Sequence, residues 1–157
     1  MRRLDEASES VMGRPARLPT SQCLTQRVGM RIDHMAVWTR DLERMRAFYE
    51  RYFEVRAGGL YESTNHPGFS SYFLTFPGGE GRLELMTFPE LSDAAVHPAV
   101  GYPHIAIGVG SHQAVDRLTA RMVADGVPLV SEPRETGDGY YESVVRDPDG
   151  NLVEITV

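Results

Sequence analysis

The feature that most constrains this chain is a repeat carried by its polar residues. His34 and His104 stand 70 positions apart, Glu84 and Glu154 are separated by the same 70, and in each half the histidine precedes the glutamate by 50. Duplicated core positions are ordinarily apolar, so a repeat that preserves titratable side chains needs a different reason. Its first consequence is a fold built from two copies of one supersecondary unit.

The order of elements recurs with the residues. RIDHMAVWT alternates as a strand, with Ile32, His34, Ala36 and Trp38 on one face and Asp33, Met35 and Val37 on the other. DLERMRAFYERYF predicts a helix capped by Asp41, with Leu42, Met45, Phe48, Tyr49 and Tyr52 along one stripe. Gly58-Gly59 ends that unit, and GLYES, FSSYFLTF and RLELMTF predict three strands. The second half opens with PHIAIGV as a strand, then a helix from its cap Ser111 through Ala124, with Val115, Leu118 and Met122 facing inward and Gly126 just past its end. VPLVS reads as a short strand, RETGDG as a loop, YYESVVR as a longer strand, DPDG as a type I turn and NLVEITV as the closing strand. Each half is therefore strand, helix, then three strands.

Alternation also says where the four repeated residues point. Pro103, Ile105, Ile107 and Val109 make an apolar face that suits a helix, and His104, Ala106 and Gly108 make the opposite one. Glu84 shares a face with Arg82 and Met86, away from Leu83 and Leu85, and Glu154 shares one with Leu152 and Thr156. If the two sheets curl around a shared hollow, both histidines and both glutamates converge in it. Two imidazoles and two carboxylates form a nitrogen and oxygen donor set suited to divalent Ni, Co, Zn, Mn or Fe. Taken singly, His34 is an ordinary strand histidine and Glu84 an ordinary partner for Arg82 or Arg31. The equal spacing in both halves favours a metal site. It would also explain why a strand as apolar as NLVEITV carries a carboxylate, which is costly to bury unless protonated, paired or metal-bound.

Other residues read more plainly. His66 in its Asn-His-Pro-Gly loop, His97 and His112 are surface histidines; Trp38 is either a pocket wall or core; Arg82 either holds an anionic substrate or pairs with a carboxylate. The net charge of −6 argues against a nucleic-acid partner. All 16 basic residues are arginine, so a Schiff-base lysine is excluded. The single cysteine, Cys23, cannot form an internal disulfide. No apolar run approaches the roughly 20 residues that span a bilayer. A cytoplasmic domain with no membrane partner is expected. Residues 1–29 mix Arg, Asp and Glu with Ser, Pro and Thr without periodicity and are expected to be a disordered extension; Met30, where the regular pattern begins, is a candidate native start.

HMAVWTRDLERMRAFYERYF, RLELM, GYPHIAIGV and DPDGNLVEI together resemble the vicinal oxygen chelate superfamily, the glyoxalase I and bleomycin-resistance proteins. The resemblance runs from Met30 to Val157 and implies an α+β fold: two βαβββ modules, 30–88 and 102–157 with a connector over 89–101, forming an eight-stranded, incompletely closed barrel with one divalent metal between modules. The His, Glu, His, Glu order looks most like glyoxalase I. That likeness implies His34, Glu84, His104 and Glu154 as metal ligands, with Glu154 or Glu84 as the catalytic base and Glu154 preferred. It implies an isomerase or lyase of the lactoylglutathione lyase type, acting on a hemithioacetal or related vicinal-dioxygen substrate through an enediolate, in a homodimer. Whether the modules pair within a chain or across a swapped dimer stays open. Trp38 and Phe88 stand where glutathione-dependent relatives carry an arginine and an asparagine that hold the thiol, so the thiol is not specified. Trp38, Arg82, Phe88 and Tyr141 are the candidate substrate contacts. The alternative is a metal-free protein that sequesters an aromatic drug or metabolite against Trp38 and Tyr141.

Overall fold

A computed structural model describes residues 32–78, 81–92 and 100–157; the expected extension over 1–29, and His97, lie outside the described residues. Arg31–Val157 forms one compact unit. Its first module comprises β1 (His34–Trp38), α1 (Leu42–Phe53), β2 (Arg56–Ala57), β3 (Tyr61–Glu62), β4 (Ser70–Thr75) and β5 (Arg82–Thr87). The second comprises β6 (His104–Gly108), α2 (His112–Ala124), β7 (Leu129–Glu135), β8 (Tyr141–Arg146) and β9 (Leu152–Thr156).

Both helices begin as their cap residues dictate. The Asp41 carboxylate accepts from the Arg44 amide at 3.0 Å and the Ser111 hydroxyl from the Ala114 amide at 3.2 Å, each satisfying an amide the first helical turn leaves open. In the first sheet the order is β1-β5-β4-β2, with β3 also on β4; in the second it is β6-β9-β8-β7. Each opening strand runs parallel to its module's closing strand, and the remaining pairs are antiparallel. The two sheets do not close on one another, so the α+β architecture is an incompletely closed barrel.

Two strand assignments differ from the periodicity. GLYES holds the expected short strand at Tyr61–Glu62, but a further one precedes it: the chain already pairs with β4 at Arg56–Ala57, which makes nine strand segments among the described residues rather than eight. In the second module β7 runs on to Glu135, into the segment expected to be loop. Its pairing with β8 is irregular between Leu129 and Ser131 and between Ser131 and Arg134. Pro133 lies in that second gap and has no amide to donate, so the ladder skips it and resumes.

Leu83, Leu85, Val153 and Ile155 are buried on the helix-facing sides of β5 and β9, with Met45 and Tyr49 from α1 and Val115 and Met122 from α2. The helices also tie the modules together: Tyr52 donates to Asp125 at 3.0 Å, Arg51 pairs with Asp125 at 2.8 Å, and Arg121 donates to the Arg51 carbonyl at 2.9 Å. One irregularity separates the halves. The turn from β4 to β5, Phe76–Gly81, has six residues, and that from β8 to β9, Asp147–Asn151, has five. The 70-residue offset therefore holds for β1/β6 and β5/β9 but becomes 71 on β4/β8, where Phe73 lies opposite Glu84 and Val144 opposite Glu154.

Candidate metal centre

Alternation leaves each sheet one face turned from its helix, and strand register arranges that face in rows. In the first module the rows are His34–Arg82–Thr75, then Ala36–Glu84–Phe73, then Trp38–Met86–Ser71–Tyr61. In the second they are His104–Leu152–Arg146, then Ala106–Glu154–Val144, then Gly108–Thr156–Glu142–Arg134. Each histidine sits one row from its glutamate, across a single parallel strand pair, and the carboxylate is flanked in its own row by an alanine and by Phe73 or Val144. The result is two near-identical pairs. His34 Nε2 is 3.7 Å from a Glu84 oxygen, and His104 Nε2 is 3.5 Å from a Glu154 oxygen. Both histidine side chains are about 40% exposed (38% and 42%), while both glutamates are mostly covered.

What surrounds the pairs differs. The Asp33 carboxylate lies 3.2 Å from His34 Nδ1 and binds Arg82, whose guanidinium lies over the Phe73 ring, 4.5 Å from its centre. The carboxylate beside Nδ1 orients the ring with Nε2 facing Glu84. Phe73 meets the His34 ring edge-on at 5.2 Å. In the second module Pro103 takes the place before the histidine, and the support goes instead to the carboxylate. Arg134 donates to Glu142 at 3.1 Å, and Glu142 lies on the same open face as Glu154, in the adjoining row. Burial pushes the Glu154 carboxyl above its ordinary range and Glu142 pushes it further, against the opposing pull of His104 and Arg134.

The four expected ligands thus fall into two pairs. Among the described residues no three His, Cys, Asp or Glu side chains gather closely enough to hold a metal ion. A divalent ion fits the donor chemistry of each pair, one imidazole and one carboxylate, but a pair is half a coordination shell.

Of the expected substrate contacts, Trp38, Arg82 and Phe88 lie on or just beyond the open strands of the first module, and Trp38 is half exposed. Tyr141 is misplaced by the sequence reading. Its hydroxyl donates to Asp116 of α2 at 2.7 Å and its ring stacks on His112 at 4.2 Å, so it faces the helix while its neighbour Glu142 faces the open side. The same stacking accounts for His112; His66 is exposed in its loop. Asp33 was also assigned to the helix side, but β1 begins only at His34, so strand alternation does not govern it. Glu142 and Arg134 were not anticipated; the signal for them is the alternation of β8 once its 71-residue offset is known.

A family model, Glyoxalase/Bleomycin resistance protein/Dioxygenase superfamily, matches residues 31–155. An uncharacterized protein of Pseudomonas aeruginosa is 32% identical over 127 residues, covering 80% of this chain and 86% of its own length. Among solved structures, a glyoxylase/bleomycin resistance protein/dioxygenase domain from Frankia superposes with a TM-score of 0.70 at 19% identity, over 82% of this chain and 97% of that one. The trypanothione-dependent glyoxalase I of Leishmania major gives 0.64 at 25% identity, over 82% and 86%. No helix among the described residues is long and apolar enough to cross a membrane.

Proposed function

Because the chain belongs to the Glyoxalase/Bleomycin resistance protein/Dioxygenase superfamily, we propose that it is a metal-dependent isomerase of the glyoxalase I type acting on a small vicinal-dioxygen substrate. The observation that carries this reading is the pair of equivalent His–Glu pairs, each on the open face of its own module. His34, Glu84, His104 and Glu154 would hold one divalent ion, and its identity among Ni, Zn, Co, Mn and Fe is left to measurement. When bound, the ion supplies Lewis-acid stabilisation of negative charge on two adjacent oxygens. Since one copy brings only two donors together at a time, the full set is assembled in a homodimer, where the first-module pair of one copy faces the second-module pair of the other.

The chain's own groups then divide the work. The Glu154 carboxyl, made more basic by burial and by Glu142, takes the proton from the carbon that bears the hydroxyl and returns it to the neighbouring carbon. One C–H bond breaks and another forms, and the hydroxyl proton passes from the first carbon's oxygen to its neighbour's, so a hemithioacetal becomes an α-hydroxythioester with no co-reactant. Asp33 and Arg82 hold the His34 ring with Nε2 towards the site. Lactoylglutathione lyase activity itself is the finer form of this reading, and Trp38 and Phe88 argue for another thiol.

The experiment is metal content per chain by mass spectrometry, on protein reconstituted separately with Ni, Co, Zn and Mn. A Glu84→Gln, Glu154→Gln double variant is the control. Near one metal per chain, lost in the variant, is expected. Equal emptiness of both proteins would sink the reading in favour of a metal-free binding protein.

A further inference from the structure

Resting on the reading just given, we infer that Trp38, Phe69 and Tyr61 form a receptor for an aromatic ring of the substrate. The second module provides an internal control. Its corresponding row holds Gly108, Thr156, Glu142 and Arg134, reached through the equivalent strand pairs, so the fold does not require large aromatic side chains there. The first module nevertheless places Trp38 and Tyr61 there, 49% and 54% exposed, with Met86 between their strands.

Their geometry leaves surface to bind. Phe69 meets Trp38 at 6.0 Å and 88° and Tyr61 at 6.3 Å and 67°. Edge contacts of this kind fix the rings against each other while keeping ring faces open to a fourth ring. The receptor is also placed for the chemistry. Trp38 lies two residues along β1 from Ala36, the residue opposite Glu84, which is roughly 7 Å of strand. A ring attached directly to one of the reacting carbons spans that interval. The cation on this face does not redirect the choice towards an anionic tail, because Arg82 is engaged by Asp33 and lies over Phe73. The occupant is therefore a phenyl-type group on the carbonyl or thiol half of the substrate.

Mandelate and lactate test this, since they share vicinal hydroxyl and carboxylate oxygens and differ by phenyl for methyl. Both are titrated calorimetrically into the full chain, metal-loaded and after chelation. Trp38 is the chain's single tryptophan, so its emission reports occupancy of the receptor directly. Mandelate is expected to bind at least about tenfold more tightly than lactate and to change that emission. Trp38→Ala should bring the ratio close to one by weakening mandelate, and Tyr61→Ala should lower the ratio part of the way. A ratio near one in the unsubstituted protein overturns the inference, as does failure of mandelate to bind in both states. If Trp38→Ala alters subunit association but not the ratio, the rings belong to an interface and the inference also fails. If chelation leaves mandelate binding and its dependence on Trp38 intact, the receptor stands and the metal reading falls.

Discussion

The two modules carry the same His–Glu pair and support opposite members of it. In the first, the histidine is held: Asp33 binds its Nδ1, Arg82 fastens Asp33, and Phe73 closes against the ring. In the second, the histidine has a proline before it, and the support passes to the carboxylate through Glu142 and Arg134. A duplicated pair need not have duplicated surroundings. The first module holds its histidine in place, and the second keeps its carboxylate partly desolvated beside a neighbouring negative charge.

The largest expected effect tests how the halves combine. Glu84→Gln and Glu154→Gln should each lower isomerase turnover at least about a hundredfold. If the site forms between copies, exchanging subunits between the two inactive variants creates mixed dimers with one intact site. Random pairing then recovers about a quarter of the original rate, since about half the dimers are mixed and each has one good site of two. A site formed within one chain recovers nothing, and that result would break the pairing proposed above.

The next prediction concerns packing, where the modules should agree. Leu85 and Ile155 are related by the 70-residue offset and both are fully buried. Leu85→Ala and Ile155→Ala should each cost about 3 kcal/mol, read from urea unfolding. A large difference between them would show that one module carries most of the stability.

The smallest effect lies in the turns. Asp147 opens the second module's β8–β9 turn and accepts from the amides of Asp149 and Asn151 at 3.0 and 2.9 Å and from the Asn151 side chain at 2.9 Å. Burial nonetheless raises its pKa above the ordinary aspartate value, outweighing those bonds. A raised carboxylate contributes stability that is present below the unfolded pKa and lost as pH rises through the folded one. Asp147→Asn should therefore cost about 1 kcal/mol in acid, through a weakened hydrogen-bond set, and show a smaller drop in stability between mildly acidic and neutral pH. Thermal melts of the metal-free protein across that range check the slope. Phe76 occupies the corresponding place in the first module and has no such dependence.

How far the sequence reveals this molecule follows from which interactions are local. The two caps, the helix stripes and the His34–Glu84 and His104–Glu154 relationships can all be read from it, because cap chemistry and strand alternation act over a few residues and the repeat supplies the pairing. Tyr141 was misassigned for the opposite reason. In YYESVVR, aromatic residues stand beside a carboxylate, and only the register with β9 decides which of them faces α2. Glu142 stayed hidden behind the same uncertainty. Asp33 escaped because its reach to His34 and Arg82 begins before the strand does. The separation of the two His–Glu pairs depends on how one sheet lies against the other, and no periodicity within a strand encodes that.

The extra residue in the β4–β5 turn bears on anyone who would recombine these modules. A chimera spliced by adding 70 throughout would bring Phe73, half-covered on the open face, to the position of Ser143. That hydroxyl is fully buried and lies 2.6 Å from Thr119 under α2. An entire hairpin strand would arrive with its inside turned out. Junctions cut within the turns, so that each donor strand keeps its own turn length, carry the halves across intact.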